Sequence, residues 1–136
     1  VPASETELIA LLKRHGVQVE TGKFKAARTE RYHIEKVDAG AMFQGHRMTR
    51  IEGRYQDDEQ PDGVIVRTNQ PLARLIFMIL EPESPDGATN WGLFSKPLEA
   101  GAIHPIAKLY LTITAGGSGK QTLMTQGTGA RREVNE

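Results

Sequence analysis

The sequence predicts an α+β domain, mainly antiparallel β and sandwich-like or a partly open barrel, with an N-terminal helix and a second helix near residues 71–81. Two segments space their apolar residues at helical intervals, and several others alternate apolar with polar residues at period two. Gly, Pro and Asp-Gly punctuation separates these segments at loop-like distances. A chain of 136 residues fits one domain better than two, and is long enough to bury a core without disulfides or a structural metal.

Residues 4–15 read as the first helix. Ser4 is placed to cap it, and Glu7 three positions on completes the capping-box spacing. Leu8, Ile9, Leu11 and Leu12 supply the apolar stripe, while Lys13, Arg14 and His15 suit the negative end of the macrodipole. Gly16 follows as the residue that turns the chain out of the helix. Val17 and Val19 then alternate with polar neighbours as a short strand would. Residues 24–37 fit a long strand with one wet face, residues 38–45 a turn or irregular loop, and residues 47–55 a strand with Thr49, Ile51, Gly53 and Tyr55 on one face. Residues 56–63 form an acidic loop and 64–67 a short apolar strand. Pro71 suits the first position of the second helix, with Asn69 or Gln70 as its cap. Leu72, Leu75, Ile76, Ile79 and Leu80 lie at helical spacing, although 75–80 taken alone also reads as a strand. Pro82 and Pro85 end that helix, residues 88–97 form an irregular loop, and 105–114 alternate as a last strand. The division expected is a β-rich domain over 1–115 and a flexible or extended tail over 116–136, where Gly116, Gly117, Ser118 and Gly119 carry no apolar anchor.

Charge narrows the function. Seventeen basic and seventeen acidic residues leave no net charge, and no basic run interleaves with aromatics, so nucleic acid and anionic membranes are poor partners. No apolar run approaches the roughly 20 residues that span a bilayer. The chain has no cysteine, which excludes thiol catalysis and leaves the compartment, cytoplasmic or exported, open. A first residue of Val1 rather than methionine suggests a processed or excised chain.

A search for catalytic chemistry finds little. His15, His33, His46 and His104 match neither His-Glu-x-x-His nor a His with Glu three residues on. His33 and Glu35 would share a strand face, where a solvated pair is preferred to a metal site. Ser4, Ser84, Ser95 and Ser118 do not stand in Gly-x-Ser-x-Gly. Gly119-Lys120 resembles the end of a phosphate loop, but Thr114 and Gln121 occupy positions that the pattern reserves for Gly and for Ser or Thr. The carboxylates at 57–59 and at Glu81, Glu83 and Asp86 lack calcium-loop spacing. No catalytic and no metal-binding residue is assigned. The feature with most promise is the loop holding Trp91 and Phe94, either a contact surface or a plug over the core, the plug being preferred.

Several stretches together resemble one arrangement. These are Val1-Pro2-Ala3, Leu11-Leu12-Lys13-Arg14-His15-Gly16-Val17 with Val19-Glu20, Phe43-Gln44-Gly45-His46-Arg47, and Glu52-Gly53-Arg54-Tyr55. The most specific block runs from Gln70-Pro71-Leu72-Ala73-Arg74-Leu75 through Leu80-Glu81-Pro82-Glu83-Ser84 and Asp86-Gly87 to Asn90-Trp91. Over residues 1–112 the chain is similar to the C-terminal accessory domain of bacterial carboxypeptidase-A-like zinc metallocarboxypeptidases. The resemblance implies a parent that hydrolyses C-terminal peptide bonds, with zinc held in a separate catalytic domain by a His and a Glu three residues apart and a distant His. No position here matches those ligands, so neither zinc nor the general base is carried over, and the segment after Ala115 departs from the resemblance. The expectation is a non-catalytic domain, without a cofactor of its own, whose partner is the catalytic domain of its parent. It would support folding, cleft shape or substrate docking. The alternative is an autonomous β module that binds peptide or glycan.

Overall fold

A computed structural model of the chain describes residues 1–111, 120–124 and 131–135. The fold class is α+β and mainly antiparallel β. The order is α1 (Thr6–Arg14), β1 (Arg28–Phe43), β2 (His46–Asp57), α2 (Ala73–Leu80), β3 (Ile103–Tyr110), β4 (Lys120–Met124) and β5 (Arg131–Asn135). Strands β2, β1 and β3 form one antiparallel sheet with β1 in the middle, and β4 pairs with β5 in a separate two-stranded sheet. The expected tail over 116–136 otherwise falls outside the described residues.

Helix α1 begins one residue later than the capping-box spacing implies. Glu5, not Ser4, precedes the first turn and makes no side-chain cap. Its buried carboxylate instead accepts the backbone N–H of Ser95 at 2.8 Å and the Ser95 hydroxyl at 2.8 Å, tying the helix start to a distant loop. The C-terminus closes as expected. Gly16 takes a φ of +86°, its N–H reaches the Lys13 carbonyl, and the Val17 N–H reaches back to Leu12 at 3.0 Å. These two bonds are the Schellman pair, and Leu12 and Val17 pack in the same apolar cluster.

The long strand differs from its sequence reading at both ends. It starts at Arg28 rather than residue 24 and runs through the segment expected to be a turn. The turn is reduced to Gln44-Gly45, both at positive φ (47° and 82°), between the paired residues Phe43 and His46. Two consecutive positive-φ residues make a tight hairpin whose twist matches the strands. Register shifts between Ile34 and Lys36 and between Ala39 and Met42 place extra residues in β1. The second shift absorbs Gly40, the residue that reads as a loop in the sequence. On β2, Ile51 is buried while Arg50, Glu52 and Arg54 are exposed, so the alternation holds.

The expected strand at 64–67 contracts to a single bridge, Ile65 opposite Glu20. The second helix forms, so the strand reading of 75–80 does not apply, but it begins at Ala73 after a turn. Gln70 does not cap it. Its side chain accepts the Gln18 N–H at 2.8 Å and donates to the carbonyls of Arg67 and Gln18 at 2.7 and 3.1 Å.

Both faces of β3 are covered. Ile106 joins Leu8, Leu12, Val17, Val66, Ile76, Ile79, Leu80 and Ala88 on the helical side. Ala107 and Leu109 pack with Ile65 on the other side, against Phe24, Ala26 and Leu111. A third cluster, Tyr32, Ile34 and Ile51, sits between β1 and β2. Among the described residues no helix is long and apolar enough to cross a membrane.

Candidate contact surface

Besides the Glu5–Ser95 bonds, three anchors hold the loop between α2 and β3 and decide where its aromatics stand. Ala88 donates its N–H to Ile79 at the end of α2 (2.8 Å), and Thr49 on β2 donates its N–H to the carbonyl of Asn90 (3.1 Å). The third point is His104. Pro105 has no N–H, and the β1–β3 register breaks between Arg31 and His33 where it passes. The ring of His104 turns inward there: its Nδ1 accepts the Ile106 N–H at 3.2 Å, and its Nε2 lies 2.8 Å from Thr89 Oγ1. With Nδ1 accepting, Nε2 carries the proton and donates to Thr89. Burial pushes the His104 imidazole down to about 3, with nearby Arg31 adding to the shift, so the ring is neutral.

This frame separates the two aromatics that the sequence singles out. Phe94 faces the interior, its ring centroid 5.0 Å from that of His104 and its side chain packed on the helical cluster. It is the plug. Trp91 turns the other way, towards the tip of the β1–β2 hairpin. Its ring meets His46 edge-on at 5.6 Å and Phe43 at 6.4 Å. Met42 and Phe43 are 59 % and 54 % exposed, the two most exposed large apolar side chains among the described residues. Phe43, His46 and Trp91 thus form one aromatic cluster at the far end of the sheet, while Met42, next to Phe43 on the strand, faces the other side. Residue-by-residue reading misses Phe43 and His46 because their segment reads as a loop. The signal that could find them is Gln44-Gly45 between two alternating runs, the mark of a tight hairpin.

The histidines and carboxylates weighed for chemistry are dispersed or already engaged. The register shift after Ile34 parts His33 from Glu35: His33 Nε2 lies 3.0 Å from Asp58 Oδ2, and Glu35 pairs with Arg54 at 2.9 Å. Asp57 pairs with Arg28 at 2.8 Å. Among the described residues no three His, Asp or Glu side chains converge as metal ligands.

Glu81 enters a buried polar cluster that sequence reading does not reveal. It accepts the Tyr55 hydroxyl at 3.2 Å and faces Lys108 Nζ at 3.3 Å. That ammonium lies 3.6 Å above the Tyr55 ring, where a cation meets the negative π face. Burial holds the Lys108 ammonium below the usual lysine range, against the opposing pull of Glu81, and burial also raises the Tyr55 phenol. The charges answer one another in this arrangement, which fixes the sheet against the end of α2.

Comparison with family models, curated proteins and solved structures yields no match.

Proposed function

We propose that this chain is a non-catalytic accessory domain of a zinc-carboxypeptidase-like parent, and that it docks on the catalytic domain through the patch of Phe43, His46 and Trp91. The observation that carries the reading is that patch. Exposed apolar side chains are ordinary when scattered, but here the exposed Phe43 meets the single tryptophan on an anchored loop, with His46 on the same ring. Tryptophan, aromatic residues and methionine are the side chains enriched at interface cores. The parent's family rests on the resemblance of the 70–91 block, and Trp91, the last residue of that block, is the centre of the patch. The domain needs no zinc and no cofactor of its own in this role. The second reading, an autonomous module for peptide or glycan, draws on the same patch, since a tryptophan face also suits sugars and apolar side chains.

The single tryptophan makes the test direct. The purified chain is expected to hold no stoichiometric zinc and to release no C-terminal residue from peptide substrates. Adding the parent's catalytic domain shifts Trp91 fluorescence saturably, and Phe43→Ser weakens that binding at least tenfold with the fold intact. Stoichiometric zinc together with peptide turnover by this chain alone would sink the accessory reading. A saturable shift with a glycan or peptide but not with the catalytic domain would favour the second.

A further inference from the structure

The outer edge of β2 carries a second site, distinct from the patch. In an antiparallel pair, alternate residues of a strand direct both N–H and C=O towards one neighbour. Ile34 exchanges both groups with the 101–102 segment on the β3 side, so its partner Gly53 faces away from β1. Thr49, whose N–H goes outward to Asn90, has the same parity. Ile51, Gly53 and Tyr55 therefore present their backbone groups to the outside of the sheet. Asn90 occupies the position at Thr49, and among the described residues nothing bonds the next three. An unpaired edge is a template for another strand, and three outward residues offer a run of about 17 Å.

What lies beside the edge selects the strand. A cleft of about 330 Å³ runs between β2 and the 82–85 loop, lined by Asp38, Arg50, Glu52, Glu83 and Asn90 among others. Lys36 lies 3.5 Å from the Asp38 carboxylate, so that charge is answered, while Arg50, opposite Asp38 in register, brings one cation to the cleft. Glu52 and Glu83 are exposed and make no ion pair among the described residues. Asn90 is 5 % exposed and donates to the Pro85 carbonyl, while its Oδ1 accepts no hydrogen bond among the described residues. Two carboxylates against one arginine, with Glu83 also near the Tyr32 hydroxyl, leave the cleft one charge negative, and an unused buried acceptor lines it beside a free edge.

We propose that this edge binds an extended peptide segment as an added strand, with a basic side chain of that segment placed in the cleft between Glu52 and Glu83. Main-chain pairing supplies the affinity and the cleft supplies the preference. The proposal is independent of the Trp91 patch and holds whether or not the accessory reading does.

The probe is an acetylated, amidated heptapeptide of alternating threonine and valine with a central arginine, titrated into the isotope-labelled chain. Saturable amide shifts at Ile51, Gly53 and Tyr55 are expected. A central glutamate in place of arginine weakens binding about fivefold, and the double variant Glu52→Gln, Glu83→Gln brings that ratio below about twofold. N-methylation of alternate peptide amides abolishes binding, because it removes the main-chain donors without touching the protein. Equal binding of the N-methylated peptide would overturn the proposal, as would shifts confined to Trp91 and the hairpin tip. Concentration-dependent protection of the three amides without peptide would assign the edge to a second copy and refute it equally. Absence of any shift up to millimolar peptide would also end it.

Discussion

His104 shows how one side chain can organise a loop at a cost that pH reveals. The ring is fully buried and has both nitrogens engaged, one by the backbone and one by Thr89. Its folded pKa of about 3 lies below the ordinary value of 6.5, so the unfolded chain binds a proton that the folded chain refuses. Stability therefore rises with pH through this window: the contribution is complete above about 6.5 and is lost as pH falls towards about 3. Between pH 7 and pH 5 the loss amounts to about 2 kcal/mol, at a limiting slope of about 1.4 kcal/mol per pH unit. Urea unfolding of wild type and His104→Gln over that range checks it. The variant starts less stable at pH 7, because a hydrogen-bonded ring is lost from the core, but its stability declines less by about that amount. A parallel decline in the two proteins would remove His104 as the source. Gly53 is a second residue whose role is local: a Cβ there would overlap the His33 carbonyl oxygen, so the position needs glycine for close approach.

At the scale of elements, the buried pair of Lys108 and Glu81 joins β3 to the end of α2, and its two halves are not equivalent. Lys108 is 4 % exposed at its side chain while Glu81 keeps 26 %. Removing the carboxylate leaves a buried ammonium with only the Tyr55 ring and the Glu30 charge to answer it, whereas replacing the lysine with an apolar chain of like length removes the charge and keeps the packing. Glu81→Ala is thus expected to destabilise by about 3 kcal/mol, and Lys108→Met by less than about 1 kcal/mol. Thermal or urea unfolding at constant pH measures both, and equal losses would show that the pair itself, not the orphaned charge, carries the stability. The same scale shows what the sequence could and could not disclose. Local signals were legible: the apolar stripes of α1 and α2, the glycine exit at Gly16 and the alternation of β2 all depend on neighbours within a few residues. The capping roles of Ser4 and Gln70 were not, because Glu5 and Gln70 engage partners 90 and 52 residues away. The hairpin was hidden by Gly40, whose punctuation belongs to a bulge inside β1, while the true turn lies at Gln44-Gly45. Within the candidate surface, Trp91 could be read as a contact residue, but its separation from Phe94 depends on the inward turn of His104, which period and composition do not encode.

Across the whole molecule, apolar side chains divide between two tasks, and the division can be tested by separating stability from association. Leu8 and Leu12 are fully buried and Ile76 nearly so, and together with Ile106 they hold the helices on the sheet. Met42 and Phe43 lie at the opposite extreme of exposure, as the last residues of β1, paired with Arg47 and His46 beside the turn. Their removal from water is incomplete in this chain, so replacing them forfeits little folding free energy, whereas truncating a sealed core position loses both transfer energy and packing. Leu12→Ala is expected to cost about 3 kcal/mol of unfolding free energy. The double variant Met42→Ser, Phe43→Ser should stay within about 0.5 kcal/mol of wild type. The readout that sets the two apart is the binding of a hydrophobic dye to the native state: reduced in the hairpin variant, unchanged in Leu12→Ala under conditions where it remains folded. If the hairpin variant instead loses several kcal/mol, Met42 and Phe43 are part of the structural framework and the patch loses its claim to be a docking surface. If stability holds and dye binding falls, the aromatic tip contributes little to folding, and its exposure is left for a partner to cover.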